Sequence, residues 1–216
     1  MIIGIIGLNG SGKNTIANIL QNEFKIYNFV IDSFAKPVKD IASIIFNWNR
    51  DMLEGDTKES REWREQIDEK WSNKLNKEII PRKMLQLIGT EFGRELLGHN
   101  IWIESLKERS IGKNIVISDI RFQNEAEEIK KIGGILIRVN RGVKPEYLKD
   151  IESKIFNSIN ELREYMRINY PEIHEANYCL SLIKDDYIIE NNDSIDILKY
   201  KLKEIINKII KSNQCH

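Results

Sequence analysis

The sequence predicts an α/β fold: a parallel sheet covered by helices on both faces, with helical insertions. Three observations predict it. A short run of β-branched residues, Ile2–Ile6, leads through the glycine-rich stretch GLNGSGKNT at 7–15 into a helix-period pattern. Two more apolar runs, NIVIS at 114–118 and ILIRV at 135–139, are separated by a helical segment rather than by a hairpin turn. Strands that alternate with helices need parallel crossovers, and these leave both sheet faces to be covered.

Each element follows in turn. Ile2–Ile6 ends at Gly7 and reads as a buried strand. In KNTIANILQNEF at 13–24, Ile16, Ile19 and Leu20 fall at helical spacing. IYNFVI at 26–31 suits a second strand. A helix is predicted from about Pro37, where a missing N–H costs nothing, with Val38, Ile41, Ala42 and Ile45 on one face. Residues 50–78 are crowded with charge and lack a regular core stripe, which predicts an exposed helical excursion. Its Trp63, Ile67 and Trp71 fall at i, i+4 and i+8, a spacing that suits packing better than nucleotide stacking. A second helix begins near Pro81 and carries Met84, Leu85, Ile88 and Phe92, and a third covers about 101–109. NIVIS is an interior strand leading to Asp119, and FQNEAEEIKKIGG is a helix closed by glycine. ILIRV is the next strand, and a charged, mostly helical insertion runs from 140 to 178. DYIIE at 186–190 is the last strand, followed by an amphipathic helix carrying Ile195, Leu198, Leu202, Ile205 and Ile209.

Bulk composition narrows the function. The 216 residues suit one α/β domain with insertions and are short for two. Lys+Arg and Asp+Glu are 33 each, so nothing favours long-range attraction to nucleic acid or to an anionic membrane, and any anion site must be local. The apolar start MIIGIIG has no basic stretch before it and runs straight into the glycine-rich loop, so a strand is expected there rather than a signal peptide. No stretch approaches the roughly 18 apolar residues of a membrane helix. Cys179 and Cys215 read as free thiols without zinc spacing, and His99 and His174 are too isolated for a metal site. The expectation is a cytoplasmic protein.

The loop carries the first chemistry. Gly7, Gly12 and Lys13 fit the pattern Gly, four free positions, Gly, Lys, but Asn14 stands where a hydroxyl is usual, and the hydroxyl arrives late, at Thr15. Gly7, Gly10 and Gly12 let the backbone approach an anion, whose charge the start of the following helix and Lys13 would balance. In VISDIR at 116–121, Asp119 sits at the carboxyl end of an interior strand, where an acid can orient hydrated magnesium, a role compatible with capping the next helix. Arg121 could meet a phosphate. In FAKPVKD at 34–40, Lys36, Lys39 and Asp40 line a helix start, either as a second anion site or as a solvated face. Arg82, Gln86 and Thr90 recur every four residues, placing a cation, an amide and a hydroxyl on one helical stripe with the same two readings. Arg61 and Arg64 lie beside Glu62 and Glu65, as surface salt bridges or as an arginine that reaches an acceptor phosphate.

GLNGSGKNT, SFAKPVKD, LEGDTKESREWRE, PRKMLQLIGTEFGR, the Trp of NIWIESL, VISDIRFQNEAEEI with IGG, and IIENNDSID together resemble phage-type deoxynucleoside monophosphate kinases. The resemblance spans about 1–139 and resumes at IIENNDSID, from 188. It implies a P-loop nucleoside monophosphate kinase-like domain over 1–216, with a substrate-side insertion at about 47–80 and a lid-like insertion at about 140–178. It implies ATP as phosphate donor, Mg2+, and a deoxynucleoside monophosphate as acceptor. By the same resemblance Gly10, Ser11, Gly12, Lys13, Asn14 and Thr15 bind the ATP phosphates, and Asn192 and Asp193 lie near the adenine. Lys39, Asp40, Arg82, Gln86, Thr90 and Trp102 bind the acceptor. Lys13, Arg121 and Asp119 are catalytic, with Asp119 holding the metal through water. In the lid only His174 and Glu175 match the family's pattern, and Arg141, Arg163 and Arg167 are the candidate lid arginines. A small-molecule substrate pair, no nucleic acid and no membrane are expected, and the resemblance allows a homodimer. Other readings are a P-loop kinase of another small molecule, such as a cofactor precursor, or a nucleotide-binding regulatory module.

Overall fold

A computed structural model describes residues 1–156, 158–173 and 175–214, so His174 and Cys215 lie outside the described residues. In chain order the elements are β1 (Ile2–Ile6), α1 (Lys13–Glu23), β2 (Phe29–Asp32), α2 (Lys36–Phe46), α3 (Lys58–Glu65), α4 (Glu69–Leu75) and α5 (Pro81–Leu87), which continues as a π-helical segment, Ile88–Leu97. Then come α6 (Ile101–Ser110), β3 (Asn114–Ile117), α7 (Gln123–Lys131), β4 (Ile135–Asn140), α8 (Glu146–Glu152), α9 (Ile159–Asn169), α10 (Glu175–Tyr178), β5 (Tyr187–Glu190) and α11 (Ile195–Gln214). The chain forms two compact units, Met1–Asp32 with Gly112–His216, and Ser33–Ile111.

The first unit holds a five-stranded sheet in the order β2-β3-β1-β4-β5, with every neighbouring pair parallel. Later strands are added on both sides of β1, so the loop after β1 leaves the sheet at its carboxyl edge, where such sheets bind ligands. One sheet face presents Ile3, Ile5, Val116, Ile137 and Ile189 to Ile16 and Leu20 of α1 and to Leu198, Leu202 and Ile206 of α11. Each such aliphatic side chain contributes about 1.5–3 kcal/mol on full burial. On the other face Gly4 admits α7. A Cβ there would lie 2.3 Å from Ile120 Cδ1 and 2.7 Å from Leu136 Cδ2, with Ile129 of α7 at 3.7 Å. The expected parallel sheet with helices on both faces is therefore present. The charged stretch after β4 has a core of its own, with Leu148, Ile151, Leu162, Met166, Tyr178 and Cys179 buried together. Asp150 accepts hydrogen bonds there from Tyr165 and, at 3.1 Å, from Tyr170. Among the described residues no helix is long and apolar enough to cross a membrane.

Three local expectations need correction. The second strand starts at Phe29, not at 26, because Lys25–Tyr27 form a 3-10 turn and Asn28 turns the chain in the left-handed region at φ 52°. Asn reaches that region more readily than other side chains do. On α2 the buried line is Val38, Ala42 and Phe46, while Ile45 is 54% exposed. The excursion at 50–78 is not simply exposed, because Leu53 is fully buried.

The second unit closes around Val38, Ala42, Phe46, Trp48, Leu53, Ile79, Ile88 and Trp102. Trp63 packs edge-on against Trp48 at 5.8 Å, and Trp71 edge-on against Phe46 at 5.4 Å. Both tryptophans are thus packing residues. Ile67 stays outside because Gln66, extended at ψ 154°, ends α3 and breaks the stripe before α4 begins. Trp102 Nε1 donates to Gly89 O at 2.7 Å, taking up a carbonyl of the π-helical segment. The indole reaches the backbone because Gly93 has no side chain; a Cβ there would lie 2.1 Å from Trp102 Cζ2. A rigid ring cannot give way as a flexible side chain can. Gly93→Ala is expected to destabilise the protein by about 1–3 kcal/mol, as overpacking does. Urea unfolding would measure this, and an unchanged midpoint would mean that the indole has room to move.

Candidate active site

β1 ends at Ile6 and the chain turns through residues 7–12 into α1. Gly10 and Gly12 take φ 78° and 100°, values that side-chain-bearing residues rarely adopt. Gly7 is needed for space instead, since a Cβ there would meet Val139 O at 2.5 Å and Ser11 Oγ at 2.6 Å. Gly12 is the N-cap of α1 and supplies no side-chain acceptor, and the first turn of α1 has no acid. The positive end of the helix is left to an external anion. Ser11 is buried, and its Oγ has no hydrogen-bond partner among the described residues. Asn14 and Thr15 are exposed on the first turn.

Lys13 folds back over the loop. Its Nζ donates to Gly7 O and to Leu8 O, both at 2.8 Å. Its pKa is lowered from 10.5 to about 8, by burial first and then by the charge of Arg121, with the charge of Asp119 opposing both. Lys13, Asp119 and Arg121 therefore share one electrostatic neighbourhood. Arg121 Nη2 donates to Asn9 Oδ1 at 3.3 Å, across the loop. The Arg121 backbone is fixed by Glu125, a buried carboxylate that accepts from the N–H groups of Arg121 at 3.0 Å and Phe122 at 3.2 Å. Asp193 pairs with Lys201 at 2.7 Å, and Asn192 Oδ1 accepts from Gly142 N at 2.7 Å. Of the three arginines expected as lid candidates, Arg163 is tied to Glu175 at 2.6 Å, Arg167 lies 3.9 Å from Glu164, and Arg141 is exposed just after β4. Cys179 is buried, and burial followed by the charge of Glu175 pushes its thiol up to about 12, which leaves it unreactive.

In the second unit Lys39 and Asp40 join a network around a residue that the sequence did not single out. Glu54 accepts from both Lys39 and Arg50, and Arg50 Nε donates to Asp40 at 2.6 Å. Burial pushes the Glu54 carboxyl up, but the hydrogen bonds and charges of Lys39 and Arg50 outweigh it and hold the group below the usual range. Arg64 lies over Gly55, where a Cβ would fall 1.9 Å from its Nη2. Its Nη1 reaches Leu53 O and Glu54 O only at 3.5 Å, and its buried Nε has no partner among the described residues. Burial, then the charge of Arg82, lower the pKa of Arg64. Arg82 is exposed and lies 3.2 Å from Glu65. Gln86 and Thr90 are exposed, as Arg82 is, although Thr90 lies in the π-helical segment beyond α5, and Trp102 is buried against that segment.

No family model matches the chain. A protein of Acanthamoeba polyphaga mimivirus, provisionally described as a deoxynucleotide monophosphate kinase, is 33% identical over 155 residues, covering 65% of this chain and 74% of that protein. The deoxynucleoside-5′-monophosphate kinase of Escherichia phage T5 is 33% identical over 181 residues, covering 61% of this chain and 72% of that protein. The chain belongs to the deoxynucleoside monophosphate kinase family. Solved structures similar to this family member include the dephospho-CoA kinase from Campylobacter jejuni (17% identity, TM-score 0.46, 98% of both chains) and the shikimate kinase from Aquifex aeolicus (14% identity, TM-score 0.39, 99% of both chains).

In this deoxynucleoside monophosphate kinase family member the structure brings Lys13, Asp119 and Arg121 together in one unit, and Lys39 and Asp40 into one network in the other. Sequence reasoning missed Arg50, Glu54 and Asn191. The charge alternation of NRDMLEGD offered a signal for the first two. Nothing local marks Asn191 apart from its neighbour Asn192.

The charge of Lys13 has a consequence for stability. Below about pH 8 the amine is protonated folded or unfolded, and the folded state bears the cost of burying it. Between about 8 and 10.5 the unfolded chain keeps a proton that the folded chain has lost, so this contribution rises with pH. Lys13→Met is expected to gain at most about 3 kcal/mol near neutral pH, with the gain shrinking through that window, and to lose turnover. Urea unfolding at neutral and alkaline pH would check this; a less stable variant at neutral pH would mean that the bonds to Gly7 and Leu8 outweigh desolvation.

Proposed function

We propose that this chain transfers the terminal phosphate of ATP to a deoxynucleoside 5′-monophosphate, giving the diphosphate for deoxynucleoside triphosphate synthesis. The observation that carries this reading is the loop–helix junction. It joins a buried Ser11 Oγ without a partner among the described residues to a Lys13 held beside Asp119 and Arg121, in a chain whose relatives are monophosphate kinases.

In this reading Gly10–Thr15 hold the ATP phosphates through loop amides, Ser11 and Asn14. Lys13 leaves the Gly7 and Leu8 carbonyls and takes up the outer phosphates. Arg121 shares the charge of the transferring group, and Asn192 and Asp193 lie against the adenine. The attacking oxygen of a monophosphate is already anionic, so positioning and charge neutralisation replace a general base. Among the described residues no three of His, Cys, Asp and Glu gather as a metal cage. A single carboxylate, Asp119, fits a Mg2+ kept mainly by water and phosphate oxygens. When bound, the ion would neutralise charge on the phosphoryl oxygens.

For the acceptor, Lys39, Asp40, Arg82, Gln86 and Thr90 are its proposed contacts. Trp102 supports the π-helical segment from behind. Arg64 joins them, because its partnerless Nε supports an anionic ligand for a guanidinium that is otherwise held loosely. Residues 1–216 act as one kinase domain, with about 47–80 serving the acceptor and about 140–178 serving as lid.

A coupled ADP-release assay with ATP and Mg2+ tests this across dAMP, dCMP, dGMP, dTMP and their ribose counterparts. Stimulation by at least one deoxy acceptor is expected; ATP binding without stimulation by any of them would overturn the acceptor assignment. Arg82→Ala is expected to raise the acceptor KM about tenfold or more with the KM for ATP little changed, since a charge-assisted hydrogen bond is lost. An unchanged acceptor KM would remove Arg82 from the site.

A further inference from the structure

We infer that Asn191 is a positioning residue that sets the phosphate loop from the opposite end of the chain. The assignment rests on the proposed use of that loop to bind ATP. Asn191 is 8% exposed, at the end of β5. Its Nδ2 donates to Ser11 O at 2.8 Å, across 180 residues of sequence. The same amide group lies against Gly12; a Cβ at Gly12 would fall 2.4 Å from Nδ2. One side-chain group thus holds the Ser11–Gly12 peptide by a hydrogen bond and by contact. The next helical bond, Ile16 N to Gly12 O at 3.0 Å, starts α1 from that same residue.

The orientation of a peptide is shared by its two ends. Fixing Ser11 O fixes the N–H of Gly12 on the other side of the same planar unit. That N–H belongs to the set that a phosphate must find already aimed, and donors held in place cost no reorganisation when the anion arrives. Asn191 is itself held. Its N–H donates to Asn140 O at 2.8 Å, where β4 and β5 end their ladder, and the neighbouring Asn192 accepts from Gly142 N at 2.7 Å. The segment proposed to meet the adenine and the loop proposed to hold the phosphates are therefore joined through adjacent residues. Binding at either place stabilises the same loop conformation.

The test measures binding directly, by calorimetry, with ATP and with inorganic tripolyphosphate as probes, alongside acceptor KM and thermal unfolding. Asn191→Leu keeps the volume and removes the donor; Asn191→Ala removes both. If the donor positions the loop, both variants lose about tenfold or more in affinity for ATP and for tripolyphosphate, while the acceptor KM stays within about twofold. Wild-type affinity in Asn191→Leu would reduce Asn191 to a space-filling residue and overturn the assignment. Should Asn191→Leu not fold, Asn191→Ser is measured in its place, and a loss of ATP affinity no larger than its rise in acceptor KM overturns it equally. A wild-type protein that binds neither probe would refute the proposed function itself, a result distinct from any of these.

Discussion

The left-handed turn at Gly12 is the constraint on which the glycine-rich loop of this protein depends. At φ 100° only glycine is at ease, and the space beside it is taken by Asn191. Gly12 is also the residue from which α1 starts, so the turn determines where the first amides of the helix point. Burial of Ile16 and Leu20 against the sheet anchors the helix from below. The loop can hold an unfavourable arrangement, with a half-buried lysine beside an arginine, because the strand before it and the helix after it are each packed into the core.

The second unit solves a different problem. Its acceptor candidates are charged groups of both signs. Lys39 and Arg50 share Glu54, Arg50 also pairs with Asp40, and Arg82 lies beside Glu65. Such pairing keeps several cations close together without a phosphate to hold them there. Arg64 is the exception, with a buried Nε and only long contacts at its Nη1. A group in that state gains more from an arriving anion than one that must first break an ion pair. In the same unit Trp102 Nε1 takes the Gly89 carbonyl of the π-helical segment.

Much of this was legible in the sequence. The order of strand, glycine loop and helix marks the phosphate end, because glycine spacing and apolar period are local properties that one chain displays openly. The carboxyl-end position of Asp119 follows from the strand before it. What could not be read depends on distant partners. Asn28 looks like part of a strand until its positive φ ends the run. The spacing of Trp63 and Trp71 already suited packing, but their partners Trp48 and Phe46 lie outside that stripe and could not be read from it. Ile45 has the right spacing on α2 but the wrong azimuth for burial. Asn191 lies in the quoted stretch IIENNDSID, but nothing there sets it apart from Asn192, since its contacts are with Ser11 and Gly12, which no local window includes.

Lys13 shows why the site tolerates what a purely structural core would not. Its amine is held by two carbonyls that are neutral, while burial and Arg121 both act against its charge. The loop is therefore least comfortable when no anion is bound. A phosphate placed among the loop amides reverses the balance, because it supplies the negative charge that Asp119 alone provides only in part. In the proposed function the cost carried by the free protein becomes part of the affinity for the nucleotide. The same argument explains why Glu125 is spent on the backbone of Arg121 and Phe122 rather than on the guanidinium. A carboxylate paired to the guanidinium would compete with the phosphate, whereas one bound to the amides fixes the position of Arg121 and leaves its side chain on the weak, neutral bond to Asn9.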